Sequence, residues 1–302
     1  MDILSPIIWL FSIIGFSAAS GLHYEPSHNG ATRAGESVYV IADNSPYLYH
    51  YNIRQETLGK ILLDSTQTEG LVAKSEKDDL EAMCDLGETI VMVGSGSTPT
   101  RTKGFIFHKK TQLVEKLNLG TLYTQLRQAG QLGEQNFNIE AVAYKEHTWY
   151  FLNRGNGDKN RNVVFTFKAD SSLNFPQKEQ LFIKAHHIKL PPLDNCPSGF
   201  SDAVIKDDRL YFLATAEDKA SNYEDGINKG TFISYLDIHS WNIGLVRRLS
   251  RTKKLEGLTL YTQGNIEGNE KLQAFYYVKI QMMPLGQFVP STNTIITPRS
   301  SK

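Results

Sequence analysis

Four carboxylates recur along the chain, each followed by a small residue and a short apolar stretch. They are Glu81 in Glu-Ala-Met-Cys, Glu140 in Glu-Ala-Val-Ala, Asp202 in Asp-Ala-Val-Ile and Glu256 in Glu-Gly-Leu-Thr. Ser20-Gly21-Leu22 opens a fifth such segment without the acid. The starts at 20, 81, 140, 202 and 256 lie 61, 59, 62 and 54 residues apart. Carboxylates that converge repel one another. At least one pKa then rises, which suits general acid–base work, or a hard cation such as Ca2+ or another divalent ion sits among the oxygens. A metal set would be Glu81, Glu140, Asp202 and Glu256. Alternatively, each acid accepts backbone amide hydrogens and pins neighbouring elements together. All these alternatives stay open at the level of the residues.

Convergence requires a scaffold that repeats with the acids. After each segment comes a polar turn and an apolar strand, as in Ile90-Val91-Met92-Val93, Trp149-Tyr150-Phe151-Leu152 and Leu210-Tyr211-Phe212-Leu213. A polar loop and a third strand follow, as in Gly104-Phe105-Ile106-Phe107 and Val163-Val164-Phe165-Thr166-Phe167. A fourth apolar stretch, such as Ile61-Leu62-Leu63 or Gln180-Leu181-Phe182-Ile183, closes most units. These are hairpin signals, and four-strand units at this period predict propeller blades. The expectation is therefore an all-β chain forming one β-propeller domain over 1–302. Five units predict five blades, or six if the termini build one more. Residues 4–14 would supply a strand that closes the ring by pairing with C-terminal strands, since an open ring exposes sheet edges. One connection reads as a helix over Thr121–Gly130, where Leu122, Leu126 and Ala129 share a face.

In a blade whose strands run from centre to rim, the entry to the inner strand and the loop between second and third strands lie on one face. That face collects Glu81, Glu140, Asp202 and Glu256 with Ser95, Ser97 and Arg101, with Asn153 and Arg154, and with Glu217 and Asp218. Asp43, in the first unit's corresponding loop, stands in for the uncharged Ser20. The arginines could neutralise the acids or hold an anionic ligand. Glu217-Asp218 is taken to begin the longest of these loops, running to Gly230.

Composition narrows the function. The 32 Lys+Arg balance 32 Asp+Glu, which disfavours a nucleic-acid partner. Two cysteines exclude a disulfide framework and a cysteine-rich zinc module. Gly94-Ser95-Gly96-Ser97 lacks the Gly-Lys-Ser/Thr of a phosphate loop and the Gly-x-Ser-x-Gly of a hydrolase elbow. His186-His187 diverges on a strand and makes a poor metal pair. Residues 3–22 carry no charge. They read as a buried strand, a signal peptide without the usual leading cation, or a membrane anchor interrupted by Pro6 and Gly15. The strand is preferred, which makes the chain cytoplasmic without a membrane span. A cleaved signal over residues 1–19 would make it secreted or periplasmic.

Taken together, Asp79-Leu80-Glu81-Ala82-Met83 with Gly94-Ser95-Gly96-Ser97-Thr98-Pro99-Thr100-Arg101 resembles an uncharacterised bacterial propeller family. Asn138-Ile139-Glu140-Ala141 with Asn153-Arg154-Gly155-Asn156-Gly157, Phe200-Ser201-Asp202-Ala203 with Ala216-Glu217-Asp218, and Lys254-Leu255-Glu256-Gly257-Leu258 extend the resemblance from about Ser20 to Tyr261. That family is similar in blade pattern to phytase-like and esterase-like propellers. The resemblance implies a propeller and brings no established activity. One stretch departs from it: Phe275–Pro284 stands where the family carries acids. Read one base earlier it can encode Leu-Leu-Cys-Glu-Asp-Thr-Asn-Asp-Ala, so a frameshift near residue 275 and a non-native, irregular tail over 281–302 are expected. Two functions follow from the acidic mouth. One is a hydrolase of phosphoester, ester or lactone bonds. The other is a non-catalytic propeller, monomeric, that binds a small molecule or a protein on the same face.

Overall fold

A computed structural model describes residues 21–25, 37–43, 45–52, 55–64, 77–155, 161–173, 180–218, 227–262, 270–276 and 295–296. The first blade is an antiparallel sheet of β1 (Gly21–Glu25), β2 (Ser37–Ile41), β3 (Tyr47–Asn52) and β4 (Thr57–Leu62). The second contains β5 (Leu80–Asp85), β6 (Thr89–Gly94), β7 (Lys103–His108) and β8 (Leu113–Asn118). The helix α1 (Gly120–Gly130) leads to the third, with β9 (Ile139–Lys145), β10 (Thr148–Asn153), β11 (Asn162–Lys168) and β12 (Lys184–Ile188). The fourth holds β13 (Ser198–Lys206), β14 (Arg209–Asp218), β15 (Ile227–Asp237) and β16 (Arg247–Ser250). Strands β17 (Leu255–Thr262), β18 (Glu270–Tyr276) and β19 (Ile295–Ile296) form a smaller sheet. In every sheet the strands pair in chain order. The inner strands β1, β5, β9, β13 and β17 touch in sequence, and β17 returns to β1.

The arrangement is a β-propeller, but its count differs from the expectation. It holds four complete four-stranded blades, not five or six, and the remaining sheet has three strands. Among the described residues β1 meets β17 by packing. The supposed closing strand at 4–14 lies outside the described residues, as does most of the supposed non-native tail. The other boundary errors are local. Gln180–Ile183 precedes the outer strand instead of forming it, and Glu217 and Asp218 end β14 instead of opening a loop.

The cores lie between sheets, which explains why the middle strands are apolar on both faces. In β6, Ile90 and Met92 pack towards the first blade with Tyr39, Ile41 and Leu48. Val91 and Val93 point the other way, into a core with Phe151, Phe165 and α1. Alternation at period two thus feeds two cores from one strand. Helix α1 buries Leu122, Tyr123 and Leu126 in the same core. Its Tyr123 hydroxyl donates to the Gly94 carbonyl at 2.5 Å. Gly96, at φ +67°, turns the chain beneath Tyr123, and a Cβ there would meet the ring at 2.5 Å.

One irregularity repeats. In β5, β9 and β17 the pairing skips a single residue near the strand's start: Glu81, Glu140 and Glu256. In β13 the skipped residue is Ser201, and Asp202 pairs with Leu213. Asp202 therefore occupies the ladder position of Ala82, Ala141 and Gly257, one place beyond the other acids. Its carboxylate accepts the Leu258 amide at 2.6 Å and the Ala203 amide at 2.7 Å. It joins the fourth blade to β17, as does Ser201, whose hydroxyl donates to the Leu255 carbonyl. Asp202→Ala leaves both amides unpaired and should cost about 1–3 kcal/mol in urea denaturation.

Candidate functional site

Each bulge adds one residue to the inner strand and re-aims its side chain. The three bulged glutamates, and the polar residues two places before them, build a network at the starts of the inner strands. Asp79, Asn138 and Lys254 lie just before the strands and meet the glutamates there: Asp79 beside Glu81, Asn138 bonded to Glu140 and Lys254 paired with Glu256.

The network has two arms. In the first, Lys77 Nζ lies 2.5 Å from both Asp43 Oδ2 and Asp79 Oδ1. The other oxygen of Asp79 accepts from the Ser95 hydroxyl at 2.5 Å and faces Arg101 at 3.0 Å. Arg101 also donates to Ser97 Oγ at 2.9 Å, and Ser95 and Ser97 share a hydrogen bond of 2.8 Å. Asp79 has φ +55°, a left-handed conformation that Asp tolerates better than most residues. Its carbonyl accepts the Ser95 amide. In the second arm, buried Arg154 sits 3.5 Å from Glu140 and 3.4 Å from Glu217. Asn138 donates to Glu140 at 2.6 Å. Lys254 pairs with Glu256 and reaches Glu217 at 3.9 Å. Gly199 makes room for Arg154, since a Cβ there would fall 2.5 Å from Arg154 Cγ.

Glu81 belongs to the first arm and also feels the charges of Glu140 and Lys254 in the second. It is partly buried, and among the described residues no hydrogen-bond donor reaches its carboxylate. One of its oxygens lies within 4.8 Å of an oxygen of Asp43 and an oxygen of Asp79. Oδ1 of Asp43 is also buried without a hydrogen-bond partner. Burial pushes the Glu81 carboxyl well above the usual carboxylate range, and Asp79, Glu140 and Asp43 add to the rise while Lys254 opposes it. Burial likewise raises Glu256, against the pull of Lys254. Lys77 is raised, because its two carboxylates outweigh its desolvation.

The expected residues therefore divide. Asp43, Glu81, Ser95, Ser97 and Arg101 meet in the first arm, and Glu140, Arg154, Glu217 and Glu256 in the second. Asp202 is taken up by backbone amides. Asn153 braces loops, accepting the Asn138 amide and donating to the carbonyls of Asn136, Arg154 and Arg161. Asp218 is exposed and pairs with Lys229 at 3.3 Å. Sequence reasoning missed Lys77, Asp79, Asn138 and Lys254. The polar residue at the second place before each bulged glutamate was the available signal. Cys84, on β5, is pushed up to about 12 by burial, so its thiol stays protonated at neutral pH.

Residues 16–274 match a single family model, described as a family of unknown function (DUF6929). The chain belongs to this family. No curated protein matches it. Solved structures that it resembles include Sqt1 of Saccharomyces cerevisiae, at 7% identity and a TM-score of 0.38, covering 85% of this chain. The chain spans 56% of Sqt1. The allergen Mala s 1 of Malassezia sympodialis matches at 11% identity and a TM-score of 0.46, over 85% of this chain and 86% of that one. The arabinanase Arb43A of Bacillus subtilis matches at 11% identity and a TM-score of 0.29, over 65% of this chain and 88% of that one. At these scores the likenesses carry no functional argument. Among the described residues no helix is long and apolar enough to cross a membrane.

The raised Glu81 has a measurable consequence. Between the ordinary carboxylate pKa and its raised folded value, the folded chain holds a proton that the unfolded chain has released. Stability attributable to Glu81 therefore falls as pH rises through that window. Without divalent cations, Glu81→Gln should be more stable than wild type at pH 7 in urea denaturation. The advantage should vanish near pH 4, about the ordinary carboxylate pKa.

Proposed function

We propose that this propeller binds a small ligand at the acidic channel mouth and that a divalent cation takes part, held by Asp43, Asp79 and Glu81. One observation carries the reading: three carboxylates converge, and Glu81 has no donor among the described residues. All-oxygen donors suit a hard cation such as Ca2+, whose binding would release the proton that Glu81 holds. Each arm sets three carboxylates against two cations, but every carboxylate of the second arm pairs with Arg154 or Lys254, whereas Glu81 has no cationic partner among the described residues. Arg101 and the Ser97 hydroxyl stand beside the cation and would meet an anionic or polar group of the ligand. The ligand is a small molecule, and the protein works as a monomer on this face.

In thermal denaturation, millimolar Ca2+ should raise the melting temperature of wild type by several degrees through preferential binding to the folded state. Asp43→Asn and Glu81→Gln should each abolish the rise. No shift with Ca2+, Mg2+ or Mn2+ removes the reading.

A second reading is favoured by the raised carboxyl of Glu81, a property suited to general acid–base work. On it the protein hydrolyses phosphoester, ester or lactone bonds at the same mouth. A panel of such substrates should then give turnover that Glu81→Gln lowers by at least about a hundredfold. Turnover absent from the whole panel leaves the binding role.

A further inference from the structure

We propose that Lys77 is a tethered occupant of the cation site, which an incoming divalent cation must displace, and that it sets how weakly the mouth holds that cation. The inference rests on the cation reading above and adds the regulation of the same site. Lys77 Nζ lies 2.5 Å from one oxygen of Asp43 and 2.5 Å from one oxygen of Asp79, and the side chain is only 10% exposed. The ammonium thus bridges two of the three carboxylates that would ligate the ion. Like charges a few ångströms apart repel strongly in a partly buried setting, so the ammonium and a metal ion exclude each other there.

The third carboxylate marks the difference between the two occupants. Lys77 forms no hydrogen bond to Glu81, and Asp43 Oδ1 is left buried and unpartnered. The tethered cation therefore satisfies the site incompletely. A free divalent ion carries twice the charge and can draw in six to eight oxygens, reaching Glu81 and the second oxygen of Asp43 together. Lysine suits an occupant that can leave. Its ammonium is a compact charge on a flexible stem, whereas an arginine fork would hold carboxylates in paired hydrogen bonds. Position fits as well. Lys77 is two residues before Asp79, whose φ of +55° turns the chain into β5. Lys77 precedes β5, so it is not part of the strand that carries Glu81.

The test is calorimetric titration of CaCl2 into the full chain, wild type against Lys77→Gln and Lys77→Arg. Gln keeps a donor for the carboxylates and removes the charge. It should bind Ca2+ at least about tenfold more tightly than wild type, while Arg should bind no more tightly than wild type. A second measurement uses the unmodified chain, in case the variant folds poorly. Acylation of Lys77 by an amine-reactive reagent, mapped by mass spectrometry, should accelerate at saturating Ca2+ as the ammonium is driven to solvent. If Ca2+ binds wild type, yet Lys77→Gln binds no more tightly and Lys77 reactivity does not change, the displacement is overturned and the cation site stands. If Ca2+ binds neither wild type nor Lys77→Gln, the cation reading itself falls and this inference with it.

Discussion

One extra residue near the start of an inner strand is the constraint on which the site depends. A regular β-strand sends alternate side chains to opposite faces, and in a blade buried on both faces each would enter an inter-blade core. A carboxylate there would be unpaired and costly. The bulges at Glu81, Glu140 and Glu256 take these residues out of the alternation and leave them among the polar side chains of the network. Apolar residues on either side keep their places. The same device in β13 presents Ser201, which leaves Asp202 in the ladder with a bracing role.

Much of the fold was legible because propeller blades repeat their physics. Middle strands such as Ile90–Val93 and Trp149–Leu152 are apolar throughout since each faces two cores. The helix was legible from the spacing of Leu122 and Leu126 on one face, with Gly130 at its end. The number of full blades was not. Repeated inner strands announce units, but whether a unit completes four strands depends on weaker outer segments. Those segments pair along one edge only, and their pattern is less apolar, as in Thr57–Leu62.

The site was legible in outline and misread in register. Glu-Ala and Asp-Ala look equivalent as letters, so Asp202 aligned with Glu81 and Glu140. The bulge falls one residue earlier in β13, however, and a one-residue shift changes what a side chain faces. Asp79 and Lys254 precede the inner strands, and no regular alternation announces that they meet the bulged acids. Lys77 had no repeat signal at all. Its place beside Asp43, thirty-four positions away, is a tertiary contact that the repeat does not encode.

The balanced net charge of the chain recurs in neither arm, each of which sets three carboxylates against two cations. The arms differ in pairing: Glu140, Glu217 and Glu256 each meet Arg154 or Lys254, while among the described residues Glu81 has no cationic partner. A divalent cation at that unpaired carboxylate is the central claim. A crystal structure determined in calcium tests it most directly. The account predicts an ion about 2.3–2.6 Å from carboxylate oxygens of Asp43, Asp79 and Glu81, with the Lys77 ammonium moved out of the cluster. A structure in which Lys77 still bridges Asp43 and Asp79, with no ion beside Glu81, would contradict it.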